Sequence, residues 1–138
     1  MKVTELMIGD WVFNRHHNKY IQVTQYDFFT HTHNDWGEQS LLPYSKPTFG
    51  RDLEPIPITP EILQKNGFEE IGDDTYQLEE KPYWFWVDFY KHQYGCEYDT
   101  STYENEDSES RLKLYGVPYV HELQHAMRLC GIDKKITI

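Results

Sequence analysis

Residues 83–91 read YWFWVDFYK, and few stretches leave a chain so little conformational choice. Along an extended backbone successive side chains point to opposite faces. Tyr83, Phe85, Val87 and Phe89 therefore fall on one face, and Trp84, Trp86, Asp88 and Tyr90 on the other. A strand aromatic on both faces belongs inside a sheet, with the second face either covered by the same chain or committed to a partner. Coverage by the chain's own helices is the simpler expectation. The sharper one is an interaction face built on Trp84, Trp86 and Tyr90.

The flanking sequence supplies the rest of such a sheet. TYQLE (75–79) and RLKLY (111–115) alternate in the same way. Between the sheet segments lies CEYDTSTYENEDSES (96–110), acidic and without a lysine or arginine before Arg111, which reads as a solvated hairpin tip. It lacks the spaced oxygen ligands and central glycine of a calcium-binding loop. Near the N-terminus, Gly9-Asp10 marks a turn ahead of Trp11-Val12-Phe13, and Ile21 and Val23 alternate with Gln22 and Thr24. These segments predict a hairpin opening a small barrel-like or curved antiparallel sheet. The stretch from Thr30 to Asp52 is broken by Gly37, Pro43, Pro47 and Gly50, which predicts a long loop with short edge strands, from which Tyr44 or Phe49 folds back onto the sheet.

Two helices are signalled. Pro55 and Pro57 enforce an extended linker, after which Thr59 can cap a helix with Pro60 at its first position and Asn66-Gly67 as its stop. The second runs through YVHELQHAMRLCG (119–131), with Pro118 before it, apolar residues Val120, Leu123, Ala126, Met127 and Cys130 on one arc, and Gly131 at its end. KKITI (134–138) is short and β-prone enough to add a terminal strand. The expected fold is α+β, with a β-rich part over residues 1–57 and an α+β part over 58–138, the two packed as one compact unit.

The second helix contains His121-Glu122-Leu123-Gln124-His125, which matches the H-E-x-x-H pattern of zinc hydrolases. In that chemistry two histidines one turn apart hold the metal and the glutamate is the base. A third protein ligand is needed. Within these 138 residues none stands downstream at the metzincin spacing, where Gly131 occupies the third histidine's place. An upstream route exists, because Gly95-Cys96 precedes the helix. In that one respect the arrangement resembles peptide deformylases, and Cys96, His121 and His125 would form the site with Glu122 as general base. Against it, the arc places His121 and His125 opposite the apolar residues, on a solvated face. His16-His17 and His31-x-His33 lie in turn-like surroundings and add no ligand cluster.

Charge and cysteine content narrow the function classes. A formal net charge of −10 gives no basic stripe for a phosphate backbone, so nucleic acid is not the expected partner. No window approaches the roughly 18 apolar residues of a membrane span. Two cysteines, Cys96 and Cys130, are too few for a disulfide scaffold, which predicts a cytoplasmic protein with reduced thiols, Cys130 being a small core residue. Although only 38% of residues are hydrophobic, aromatics make up 16% of the chain and can supply the core.

Taken together, IGDWV (8–12), LEPIPITPEILQKNGF (53–68) and YVHELQHAMRLCGI (119–132) resemble an uncharacterised family of small proteins from gut anaerobic bacteria and their phages or mobile elements. The resemblance implies a β-rich N-terminal part, a linker helix and an α+β C-terminal part. It brings no activity, and it makes the V-H-x-L-Q portion of the last helix a packing signature. The expectation is a non-enzymatic accessory or interaction protein, without cofactor, acting on a protein partner or on itself. The alternative is the small zinc hydrolase just described.

Overall fold

The structure, a computed structural model, describes residues 1, 5–24 and 53–138. The expected long loop, with His31, His33, Tyr44 and Phe49, lies outside the described residues. The chain divides into two compact units, Met1–Ile56 and Pro57–Ile138.

In the first unit the turn signal is realised by Gly9 at φ 94° and by Asp10, whose carboxylate accepts from the Met7 amide at 2.7 Å. Strand β1 (Trp11–Asn14) follows and pairs antiparallel with β2 (Lys19–Gln22) and with the short β3 (Leu53–Glu54), in the order β2-β1-β3. Leu6, Val12, Val23 and Leu53 form its apolar cluster, with Met1 and Ile21 packed against it. Of the two expected forms, the described strands make the open sheet rather than a closed barrel.

The second unit begins in extended chain and turns into α1 (Pro60–Lys65) where Thr59 Oγ1 accepts from the Ile62 amide at 3.3 Å. Asn66 ends the helix, and Gly67 takes the positive φ of 86° that a side chain would resist. A five-stranded antiparallel meander follows: β4 (Glu69–Gly72), β5 (Thr75–Glu80), β6 (Tyr83–Asp88), β7 (Gln93–Asp99) and β8 (Ser108–Tyr115), paired in chain order. The aromatic strand β6 is thus central. β7 and β8 reach into the acidic segment, leaving residues 100–107 as the connection. The last helix, α2, spans Val120–Leu129 and stops at Gly131 with φ 77°.

Opposed residues fix the two faces of the sheet. Phe85 stands between Leu78 and Cys96, and Val87 between Tyr76 and Tyr94; all six are buried. The helices and their flanks lie against this inner face. The Cys130 thiol is in hydrogen-bond contact with that of Cys96, Gly131 approaches the Tyr83 ring, and Phe68 meets Phe85 edge-on at 6.4 Å between centroids.

The C-terminal KKITI forms no strand. Its place is held by the buried Asn66, whose side-chain amide donates to the Thr137 carbonyl at 2.7 Å while its oxygen accepts from the Thr137 amide at 2.8 Å. One side chain thus imitates a ladder partner, and Ile132 and Ile136, which precede the clipped Thr137, are buried. Replacing Asn66 with Ala removes both bonds and the one to Ile62. The expected loss is about 1–3 kcal/mol of stability, read by denaturant unfolding, with hydrogen exchange accelerating at residues 134–138 before the rest of the unit.

Candidate functional site

Two groups of residues carry the functional expectations: the helix α2 with Cys96, and the outer face of β6. The helix is the simpler to decide. The expectation that His121 lies on a solvated face is overturned: His121 is 5% exposed and Gln124 7%. Buried positions near the start of the helix extend well beyond the apolar arc, whereas Arg128 and Leu129, one to two turns later, are exposed. The helical wheel treats every turn alike, but the N-terminal turns of α2 are enclosed on more sides. Tyr119 pairs in an isolated bridge with Pro57 and stacks its ring on His121, with an interplanar angle of 10°. His125, half-buried, meets His121 edge-on at 5.8 Å between centroids.

Glu122 has a structural task. Its Oε2 accepts from the Tyr119 backbone amide at 2.9 Å, the glutamate half of a capping box, which satisfies one of the donors left open at the start of the helix. Its charge also lies close to the inner face: Tyr94 is raised above the usual phenol range, first by burial and then by the Glu122 carboxylate.

The structure brings Cys96 against another thiol. It sits at the centre of β7, fully buried, against Cys130 at the end of α2. Burial is the main reason its thiol is pushed up to about 12, with the Cys130 contact adding to the effect. A thiol so held is neutral at physiological pH and packs as a small apolar group. Among the described residues no three His, Cys, Asp or Glu side chains are grouped so as to hold a metal ion.

The outer face of the sheet is built from the same alternation. Trp84 lies between Glu79 on β5 and Glu97 on β7, and Trp86 between Gln77 and Gly95. Gly95 has a specific reason to lack a side chain: a Cβ there would strike the Leu112 carbonyl and come within 3.0 Å of the Trp86 ring, so the indole rests on bare backbone. Both tryptophans are half-buried and keep part of their surface in solvent. Tyr90 is placed differently. β6 ends at Asp88, whose carboxylate accepts from the Lys91 amide at 2.8 Å and turns the chain, so Tyr90 stands in the hairpin turn and is 75% exposed.

A feature the sequence did not advertise lies beside Trp84. The residue 100–107 connection and the adjoining strand ends enclose an open cleft of about 680 Å³. Its walls carry Glu79, Glu97, Asp99, Glu106 and Asp107 against a single cation, Lys81. Lys81 is 3.5 Å from Glu79 and also draws Asp99 below the usual carboxylate range, an effect led by hydrogen bonds from Ser101. Glu97 accepts from the Ser108 hydroxyl at 3.0 Å. The one sequence signal for this cleft was the acidic run, because the register that brings Glu79 and Glu97 to either side of Trp84 exists only in the folded sheet.

Comparison with known proteins finds no family model that matches the chain, no matching curated protein and no matching solved structure.

Glu122→Ala is expected to cost about 1 kcal/mol through the lost cap, and Glu122→Gln much less, because the amide oxygen still accepts from Tyr119. Thermal unfolding reads both. A full equivalent of zinc in protein purified without added metal, lost in His121→Ala, would instead establish a metal site on this helix. For Cys96, the folded thiol titrates far above its ordinary value of 9.0. The unfolded state therefore releases its proton first, and the stability this thiol contributes is complete below pH 9 and lost as pH rises toward 12. Melting temperature should fall less steeply across that window in Cys96→Ala than in the unsubstituted protein, although the variant starts lower.

Proposed function

We propose that this chain is a non-enzymatic interaction protein that meets a protein partner through the outer face of its five-stranded sheet. The observation that carries the reading is the partial exposure of Trp84 and Trp86 on a face whose opposite side takes the contacts of the residues that follow each helix. Tryptophan at the surface is costly to leave in water, and it is enriched where proteins bury surface against one another. Trp86 is also held flat by Gly95 and by its strand neighbours, so little side-chain freedom is lost on docking. Tyr90, in the turn beyond the strand, extends the contact at its rim.

The surroundings of the HELQH segment give the zinc alternative less support. Its glutamate serves the helix cap, its first histidine is packed under Tyr119, and the thiol offered as third ligand faces another thiol. A cytoplasmic setting, in a protein of phage or mobile-element kind, suits two free buried cysteines. Among the described residues no helix is long and apolar enough to cross a membrane, and the net charge of −10 favours a protein over a nucleic acid as partner.

Site-specific photocrosslinking in cells that make the protein tests the reading. A photoreactive residue in place of Glu79, on the outer face, should give discrete adducts with another protein or with a second copy of the chain. The same residue in place of Leu129, exposed on α2, should not, and Trp86→Ala should abolish the Glu79-position adducts. Equal labelling from both positions would remove the outer face as the docking surface.

A further inference from the structure

We infer that the cleft beside Trp84 receives an extended, lysine- or arginine-bearing segment of a partner protein, with one cationic side chain seated on the indole between Glu79 and Glu97. The inference rests on the interaction reading above and names the chemistry of the partner.

Register supplies the seat. Residues directly opposed in an antiparallel pair project to the same face with their Cβ atoms about 5 Å apart, and Trp84 is opposed by Glu79 on one side and by Glu97 on the other. A partly exposed indole flanked by two carboxylates attracts a cation through its ring and through both charges together. A guanidinium or ammonium on a long apolar stem fits this seat, because its methylenes cover the ring while its head reaches the carboxylates.

The balance of charge supplies the sign of the occupant. Five carboxylates and one ammonium line the cleft, all within a few screening lengths of one another at physiological salt. Lys81 serves both Glu79 and Asp99, and Glu97 is met by a neutral hydroxyl. The complement this surface requires is positive.

Spacing supplies its form. No three acidic side chains among the described residues are grouped closely enough to hold one metal ion, so a single divalent cation does not match the distribution. The carboxylates run from β5 across β7 to the 100–107 connection and are matched by positive charge spread along a chain. The open mouth of the cleft, walled by exposed Ser101, Thr102 and Ser108, admits backbone as well as side chain.

The full chain titrated with fluorescein-labelled short peptides tests this. One peptide alternates Lys and Arg with Gly and Ser, and a second carries Glu at the charged positions. Spermine and calcium chloride serve as competitors, and fluorescence anisotropy is read at low and at physiological salt. The basic peptide is expected to bind saturably and more weakly as salt rises. Trp84→Ala and the double variant Glu79→Gln with Glu97→Gln should each lose about tenfold in affinity or more, the scale of one contact worth 1.4 kcal/mol. The double variant keeps both side-chain shapes and so separates lost charge from lost fold, which circular dichroism checks. Basic-peptide binding no tighter than that of the Glu peptide, or unchanged in the double variant, overturns the inference. So does stoichiometric displacement by calcium, or spermine binding tighter than the peptide with the same variant dependence. If the outer-face crosslinks persist while basic peptides fail to bind, the cationic partner is wrong and the interaction reading stands; if both fail, the reading falls as well.

Discussion

The second unit depends on burying one face of strand β6. Phe85 and Val87 have no solvent exposure, and their neighbours in the rows above and below, Leu78, Cys96, Tyr76 and Tyr94, are buried with them. At roughly 25 cal/mol for each Å² of apolar surface removed from water, a row of this kind outweighs any polar contact in the unit. Everything else follows from what must cover it. The C-terminal helix brings Cys130 to Cys96, the residues after α1 bring Phe68 to Phe85, and Asn66 clips the final residues so that Ile132 and Ile136 can close the remaining side.

Covering one face commits the helices and leaves the other face to a different chemistry. On the outer side the same strands carry Trp84 and Trp86 among glutamates, a glycine and a lysine. The indole of Trp86 is supported from beneath by Gly95 rather than from above by a helix. A sheet whose inner side is closed by residues so tightly specified can hold its outer side rigid at little further cost. That rigidity is what the proposed docking face would draw on.

The HELQH segment shows how one string of residues supports two physical accounts. Read as chemistry, its histidines and glutamate are ligands and a base. In the folded chain the glutamate satisfies an orphan amide at the start of the helix, and the first histidine fills the space beneath Tyr119. Both accounts need a helix with residues one turn apart. They part over what stands opposite; among the described residues the first histidine meets the ring of Tyr119, which is itself bridged to Pro57.

Much of the architecture was legible in the chain, for identifiable reasons. The alternation in residues 75–79, 83–88 and 111–115 marks strands because period two is the only way to keep Phe85 and Val87 together. Thr59, Pro60, Asn66, Gly67 and Gly131 mark helix ends because each solves a local backbone problem that needs no distant partner. Where local signals were weak, the sequence was silent or misleading. β4 is exposed throughout and has no apolar face to advertise it, and β7 hides its buried Tyr94 and Cys96 among glycine and acidic residues. KKITI has strand-forming residues but found its partner in the side chain of Asn66, far away in sequence. The burial of His121, the pairing of Cys96 with Cys130 and the placing of Glu79 and Glu97 beside Trp84 were decided only by tertiary structure. Periodicity specifies which side of an element a residue occupies, whereas long-range register and packing determine what stands against it.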